Sequence, residues 1–349
     1  MVMRGGTSKG AYFVADDLPA DVAERDDLLL RILGSPDERQ IDGIGGAHPL
    51  TSKVAIVCPS SDGAADVDYL FLQVGVGEAL VSDRQNCGNL LAGVGQFAVE
   101  RGLVRWSGER ADVRIRMMNT DSIATASFPL AGARPMYDGS TAISGVPGTA
   151  AEVRLDFADT AGSSCGSLLP SGSTADSVTG VDVTCADNGM PTVVVRASDL
   201  GVSGDESCAE LEANADLRRT LEDIRIQAGK LMNLGDVTAA TVPKLTLVSQ
   251  PRAGGSICTR TFIPHRCHDA IGVLGAVTVA TALRLPGGVG SELLVPGADP
   301  DMVELEHPTG VFLARVEVAD DSGGVVVGRS GIVRTARKLM DGVVYPRPA

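Results

Sequence analysis

A cysteine at the head of an apolar run is the sharpest chemical feature of this 349-residue sequence. Cys87 stands in Gln85-Asn86-Cys87-Gly88-Asn89-Leu90, and the run from Gly88 to Glu100 is apolar nearly all round and reads as a buried helix. The first amides of a helix have no intrahelical acceptor, and with the helix dipole they favour a thiolate that can take or return a proton near neutral pH. A buried structural cysteine is the plain alternative. The polar and glycine flanks favour the functional reading. Lys53 is the second feature, because Thr51-Ser52-Lys53-Val54-Ala55-Ile56-Val57 sets a cation at the head of an apolar strand. It is either an exposed strand-start residue or a partly desolvated acid or base. Arg4-Gly5-Gly6-Thr7-Ser8-Lys9-Gly10 joins two cations and two hydroxyls to three glycines. That composition suits wrapping a carboxylate with backbone N–H groups and charge-assisted bonds, and it equally suits a surface turn.

Other motifs are weaker. Gly6-Thr7-Ser8-Lys9-Gly10 has the spacing of a serine-hydrolase elbow but lacks the preceding strands that such an elbow needs. Gly93-x-Gly95-x-x-Ala98 resembles a dinucleotide fingerprint, yet it falls inside the helical run and reads as close packing. His265-Arg266-Cys267-His268 places three metal-type side chains together, with Cys258 nearest, but no second cluster completes a four-ligand site. No metal is expected. The plainer reading gives a loop and helix start where His268, or free helix amides, meets an anion.

Most of the elements that must hold these residues are strands. Ser52–Val57, Tyr69–Val74, Val113–Met117, Thr192–Arg196, Leu245–Val248, Val311–Val318 and Val325–Val327 have strand patterning, separated by Asn, Asp, Gly and Pro. Amphipathic helices are expected over Asp26–Leu33 and Cys208–Ala228, and a second wholly buried helix over Asp269–Leu285. The two buried helices begin about half a chain apart, which suggests two similar halves, with Asp138–Pro147 as the crossover. The expected division is 1–140 with a C-terminal return over 330–349, and 141–329, with the active site in the cleft between them. The balance of 30 Lys and Arg against 44 Asp and Glu gives a net charge of −14. That argues against binding nucleic acid or an anionic membrane. Seven cysteines at irregular spacing, and an opening MVMRGGTSKG without the apolar stretch of a signal peptide, lead to the expectation of a cytoplasmic protein with reduced thiols.

Several of these segments together resemble the PrpF-type isomerases. They are Met3–Gly10, Leu50–Ile56, Asn86–Asn89, Cys165–Gly172, Asp187–Pro191 and Pro264–His268, with Arg39–Gly46, Met232–Val237 and Ile271–Val277 extending the likeness over nearly the whole chain. The resemblance implies an α+β fold of the diaminopimelate epimerase type. In that fold two pseudo-symmetric halves each wrap a mixed, mostly antiparallel sheet around a central buried helix. Cys87-Gly88-Asn89-Leu90 departs from the epimerases' Cys-Gly-Asn-Gly only at its last residue. Gly272-Val273-Leu274-Gly275-Ala276 lacks the second epimerase cysteine, so a two-thiol racemase is not expected. What the resemblance implies instead is one thiol, Cys87, with Lys53 as the other proton carrier. Arg4, Thr7, Ser8, Lys9, Ser52, Asn86, Gly88, Asn89 and His268 would bind substrate.

The implied reaction is keto–enol interconversion of 4-oxalomesaconate, of the kind met in gallate or protocatechuate degradation. The CH₂ between a ketone and a conjugated carboxylate is acidic enough that no cofactor is expected. An allylic isomerase of an aconitate- or methylaconitate-type tricarboxylate, and a non-catalytic carboxylate-binding protein, are the competing readings. The expected partner is the small tricarboxylate alone, with homodimerisation left open.

Overall fold

Alternating apolar positions fold most of the chain into strands, and the computed structural model describes residues 1–84, 87–321 and 324–348. Two units separate by their internal contacts, one of Met1–Ala158 with Val333–Ala349 and the other of Asp159–Ile332. In the first, β1 (Val2–Gly5) and β2 (Ser8–Val14) form a hairpin, and α1 (Val22–Leu33) leads to β3 (Lys53–Pro59), parallel to β2. Next come β4 (Val67–Val74) and β5 (Val81–Ser82), each antiparallel to its predecessor. Helix α2 (Gly88–Glu100) then leads to β6 (Arg110–Met117), parallel to β4. β7 (Ser122–Ala131), β8 (Arg134–Pro135) and β9 (Glu152–Phe157) add antiparallel pairings.

The second unit repeats this succession. β10 (Asp176–Val178), β11 (Val181–Asp187) and β12 (Pro191–Arg196) pair antiparallel. Helices α3 (Cys208–Ala213) and α4 (Ala215–Leu231) lead to β13 (Lys244–Ser249), parallel to β12. β14 (Ile257–Ile263) and β15 (Arg266–Cys267) follow antiparallel, and α5 (Val273–Arg284) leads to β16 (Met302–His307), parallel to β14. β17 (Gly310–Asp321) and β18 (Gly324–Met340) close the series antiparallel. The end of β18 belongs to the first unit, where it pairs with β1 through Met3↔Lys338, Arg4↔Arg337 and Gly5↔Ala336.

Each unit is built around one apolar helix. Every residue of α2 from Leu90 to Ala98 is buried, and the helix touches β1 to β4 and β6 to β9. Helix α5, buried from Gly275 to Leu283, touches β11, β12, β16 and β17. Full burial of a Leu, Val or Phe side chain stabilises by about 1.5–3 kcal/mol, so these helices anchor their sheets. The α+β architecture and the central helices agree with the sequence reading.

Several boundaries differ. Helix α1 starts at Val22, because Asp21 caps it by accepting from Glu24 N, and it ends at Gly34 in the left-handed region (φ 84°). The helix expected over 208–228 breaks at Asn214, whose side chain accepts from Leu217 N to start α4 afresh. Helix α5 starts at Val273 rather than Asp269. The preceding residues are held as a turn, with Ala270 N donating to His268 Nδ1 and Thr309 Oγ1 to the Asp269 carbonyl. The division falls after Ala158 and Ile332 rather than after 140 and 329, because β9 pairs with β7 (Thr125↔Asp156) inside the first unit. The expected crossover at 138–147 therefore lies within that unit, bridged by Thr141↔Ala150.

Candidate active site

The turn between β1 and β2 lies against the first residues of α2, and glycine makes the approach possible. A Cβ on Gly5 would overlap the Asn89 carbonyl oxygen, and one on Gly6, at φ 51°, would overlap the Asn89 side chain. Asn89 Nδ2 then donates to Thr7 Oγ1 at 3.0 Å and to Ser8 Oγ at 3.4 Å. Thr7 is exposed and Ser8 buried. Cys87 occupies the cap position of α2 in an extended conformation (φ −130°, ψ 97°), and its carbonyl accepts from Leu91 N at 3.0 Å. Its half-buried thiol does not serve as a cap, and the amides of Gly88 and Asn89 head the helix.

Two buried tyrosines brace this helix start. Tyr12 Oη donates to the Leu90 carbonyl at 2.6 Å, and Tyr69 Oη makes a long 3.5 Å bond to the Cys87 carbonyl. Burial, and after it the charge of Cys87, holds both phenols well above their ordinary pKa, so they remain neutral donors.

Lys53 sits at the head of β3 and is only 7% exposed. Its Nζ donates to Gln73 Oε1 at 2.6 Å and lies 5.0 Å from the centre of the Phe71 ring. Tyr69, Phe71 and Gln73 alternate along β4 and so share one face, and this single row reaches both Cys87 and Lys53. Ser52, one residue from Lys53, faces the other way. It is wholly buried, and its hydroxyl accepts from Gln40 Nε2 at 2.7 Å.

The remaining expected contacts divide. Arg4 Nη1 donates to the carbonyls of Gly6 and Thr335, each at 2.9 Å, and to Thr335 Oγ1 at 3.0 Å. Burial, and then Arg337 opposite it in register, draws the Arg4 guanidinium below its ordinary pKa. Lys9 donates its backbone N–H to the Leu50 carbonyl, and its ammonium lies beside Gly46. Asn86 lies outside the described residues. His268 is an exposed residue of the second unit, bonded through Nδ1 to its own loop.

Other sequence motifs take structural positions. Asp187 is buried and accepts from Ser164 N, Cys165 N and Gly189 N at 2.7, 2.8 and 3.2 Å. Burial, then Asp187, pushes the Cys165 thiol up to about 12. Asn188, also buried, donates to Thr281 and Ser330 and accepts from Thr160. The His265–His268 residues diverge. His265 faces Glu222 at 3.5 Å, while Cys267 is buried, its pKa raised by that burial and then by Cys208. Among the described residues no three His, Cys, Asp or Glu side chains converge as metal ligands would. Sequence reasoning missed Gln73 and the two aromatics beside it. The available signal was the period of two, which sets a polar residue in line with Tyr69 and Phe71.

A topology that occurs twice, each time as a mixed sheet around a buried helix, is the diaminopimelate epimerase-like fold, here with a thiol at the head of the first helix. A family model described as PrpF protein matches residues 1–347, and the chain belongs to that family. It is 57% identical over 346 residues to (4E)-oxalomesaconate Delta-isomerase of Novosphingobium sp. (strain KA1), covering 99% of this chain and 96% of that one. It is 56% identical over 345 residues to 4-oxalomesaconate tautomerase of Pseudomonas putida, covering 99% and 94%. The crystal structure of a methylitaconate-delta-isomerase superposes with a TM-score of 0.86 at 35% identity, over 98% of this chain and 93% of that one.

Proposed function

We propose that this chain is a cofactor-independent isomerase that interconverts the keto and enol forms of 4-oxalomesaconate by proton transfer through Cys87 and Lys53. The observation that carries the reading is the near-full-length identity of 57% and 56% to two enzymes named for oxalomesaconate. The first unit supplies the chemistry. Cys87 as thiolate takes the proton from the CH₂ beside the ketone, so a C–H bond breaks and an S–H bond forms. The electron pair moves onto the ketone oxygen, and Lys53 stabilises that enolate and gives it a proton. Exchange of both groups with water restores the starting protonation. Arg4, Thr7, Lys9 and the amides of Gly88 and Asn89 grip the carboxylates. The reaction fits the degradation of aromatic acids of the gallate or protocatechuate type.

An allylic isomerisation is the second reading, favoured by the 35% identity to the methylitaconate enzyme. Incubation with keto 4-oxalomesaconate and with cis- and trans-aconitate in D₂O separates the two, followed by absorbance and deuterium uptake. Deuterium should enter the keto acid at the exchangeable carbon, and Cys87→Ala should abolish this while still binding substrate. No rate above buffer with the keto acid, or a preference for an aconitate, would sink the proposal.

A further inference from the structure

We propose that Gln73 is a positioning residue for Lys53, holding its ammonium in one place through an amide that can face only one way. The inference rests on the reading of Lys53 as a proton carrier. Gln73 stands directly opposite Lys53 in the β3–β4 register. While Oε1 accepts from Nζ at 2.6 Å, Nε2 donates to the carbonyls of Ser52 at 2.9 Å and Pro49 at 3.1 Å. Reversing the amide would set its NH₂ against the ammonium and its oxygen against two carbonyls. Both contacts repel, so a single orientation survives. The two carbonyls belong to the segment that enters β3, so Gln73 fastens itself to the stretch of chain that carries Lys53.

The other neighbours of Nζ leave it free to react. Phe71 lies below it, with its own backbone N–H and C=O clamped by the Asn119 amide at 2.9 Å each. On the other side of β3, β2 sets Gly10 in register with Lys53, where a Cβ would overlap the Lys53 carbonyl oxygen. Among the described residues no carboxylate pairs with Lys53, and its hydrogen-bond acceptor is a neutral amide. A carboxylate there would hold the proton on the lysine. The amide orients the ammonium and leaves its remaining N–H bonds for a substrate oxygen.

The experiment compares the full chain with Gln73→Leu, Gln73→Glu and Lys53→Met, measuring kcat against pH with keto 4-oxalomesaconate and thermal unfolding for each. Gln73→Leu should lose about tenfold to a hundredfold in kcat, with the alkaline limb displaced to lower pH. Gln73→Glu should displace that limb to higher pH by about one unit or more. A merely structural residue would change the melting temperature or the fraction of active enzyme and leave the limb where it was. Unmoved limbs in both Gln73 variants, beside an inactive Lys53→Met, overturn the role of Gln73 alone. Failure of both Gln73 variants to fold also overturns it, since the residue is then a folding determinant. A fully active Lys53→Met overturns the reading of Lys53 itself.

Discussion

Cys87 and Lys53 were legible in the sequence because each breaks a pattern, one at the head of an apolar helix and the other at the head of an apolar strand. Ser52 shows where such reading stops. In a strand one residue's step reverses the face, and nothing in the local sequence says that Gln40 waits on the far side to donate to its hydroxyl. Long-range pairs of this kind became visible only in the fold. The pair formed by Asp68 and Arg116 is another, with Arg116 Nε and Nη2 donating to the carboxylate at 3.0 and 2.7 Å. Arg116 holds the Asp68 carboxyl below its usual range, so the pair stabilises the fold above the unfolded-state value of about 3.9. The stabilisation fades as pH falls through the lower folded value. Asp68→Asn should therefore lower unfolding stability by about 1 kcal/mol at pH 7. Denaturant titrations at several pH values should show the gap between the two proteins closing below about pH 4.

At the scale of elements, the strands and both buried helices could be read from periodicity, whereas their ends were set by side chains with local tasks. Asp21 starts α1 early, and Asn214 divides α3 from α4. The glycine-rich segment Arg4–Gly10 shows the same limit. Its composition suited a carboxylate-wrapping segment and a surface turn equally, and Val2–Gly5 and Ser8–Val14 form a hairpin whose tight turn abuts α2. That contact depends on a missing side chain. Gly5→Ala should push α2 away from β1, costing about 1–3 kcal/mol. It should also lower turnover more than Gly63→Ala, where a new methyl group meets open space. Thermal unfolding and kcat measured on both variants check this, and equal behaviour of the two would remove the argument.

For the whole molecule, the net charge of −14 is a sum over the chain and does not describe the charge at one site. Arg4, Lys9 and Lys53 all lie in the first unit, and within a Debye length of about 8 Å such charges act more strongly on a carboxylate than distant acids do. The internal repeat was legible as two apolar helices half a chain apart. The boundaries were not, because they depend on which strand β9 pairs with. One feature of that repeat bears on how the protein is made. Residues up to Ile332 of β18 belong to the second unit, and those from Val333 on belong to the first, where Ala336 to Met340 pair with β1. A ribosome delivers β1 long before its partner stretch near Ala336, so at about 5–20 residues per second the β1–β2 hairpin waits many seconds with one edge bare. The second unit, though made later, can finish first. Nascent chains arrested after residue 332 and fully outside the ribosome should show Asp159–Ile332 resistant to a protease and Met1–Ala158 still open to it. Equal protection of the two would mean that the first unit tolerates an unfilled edge.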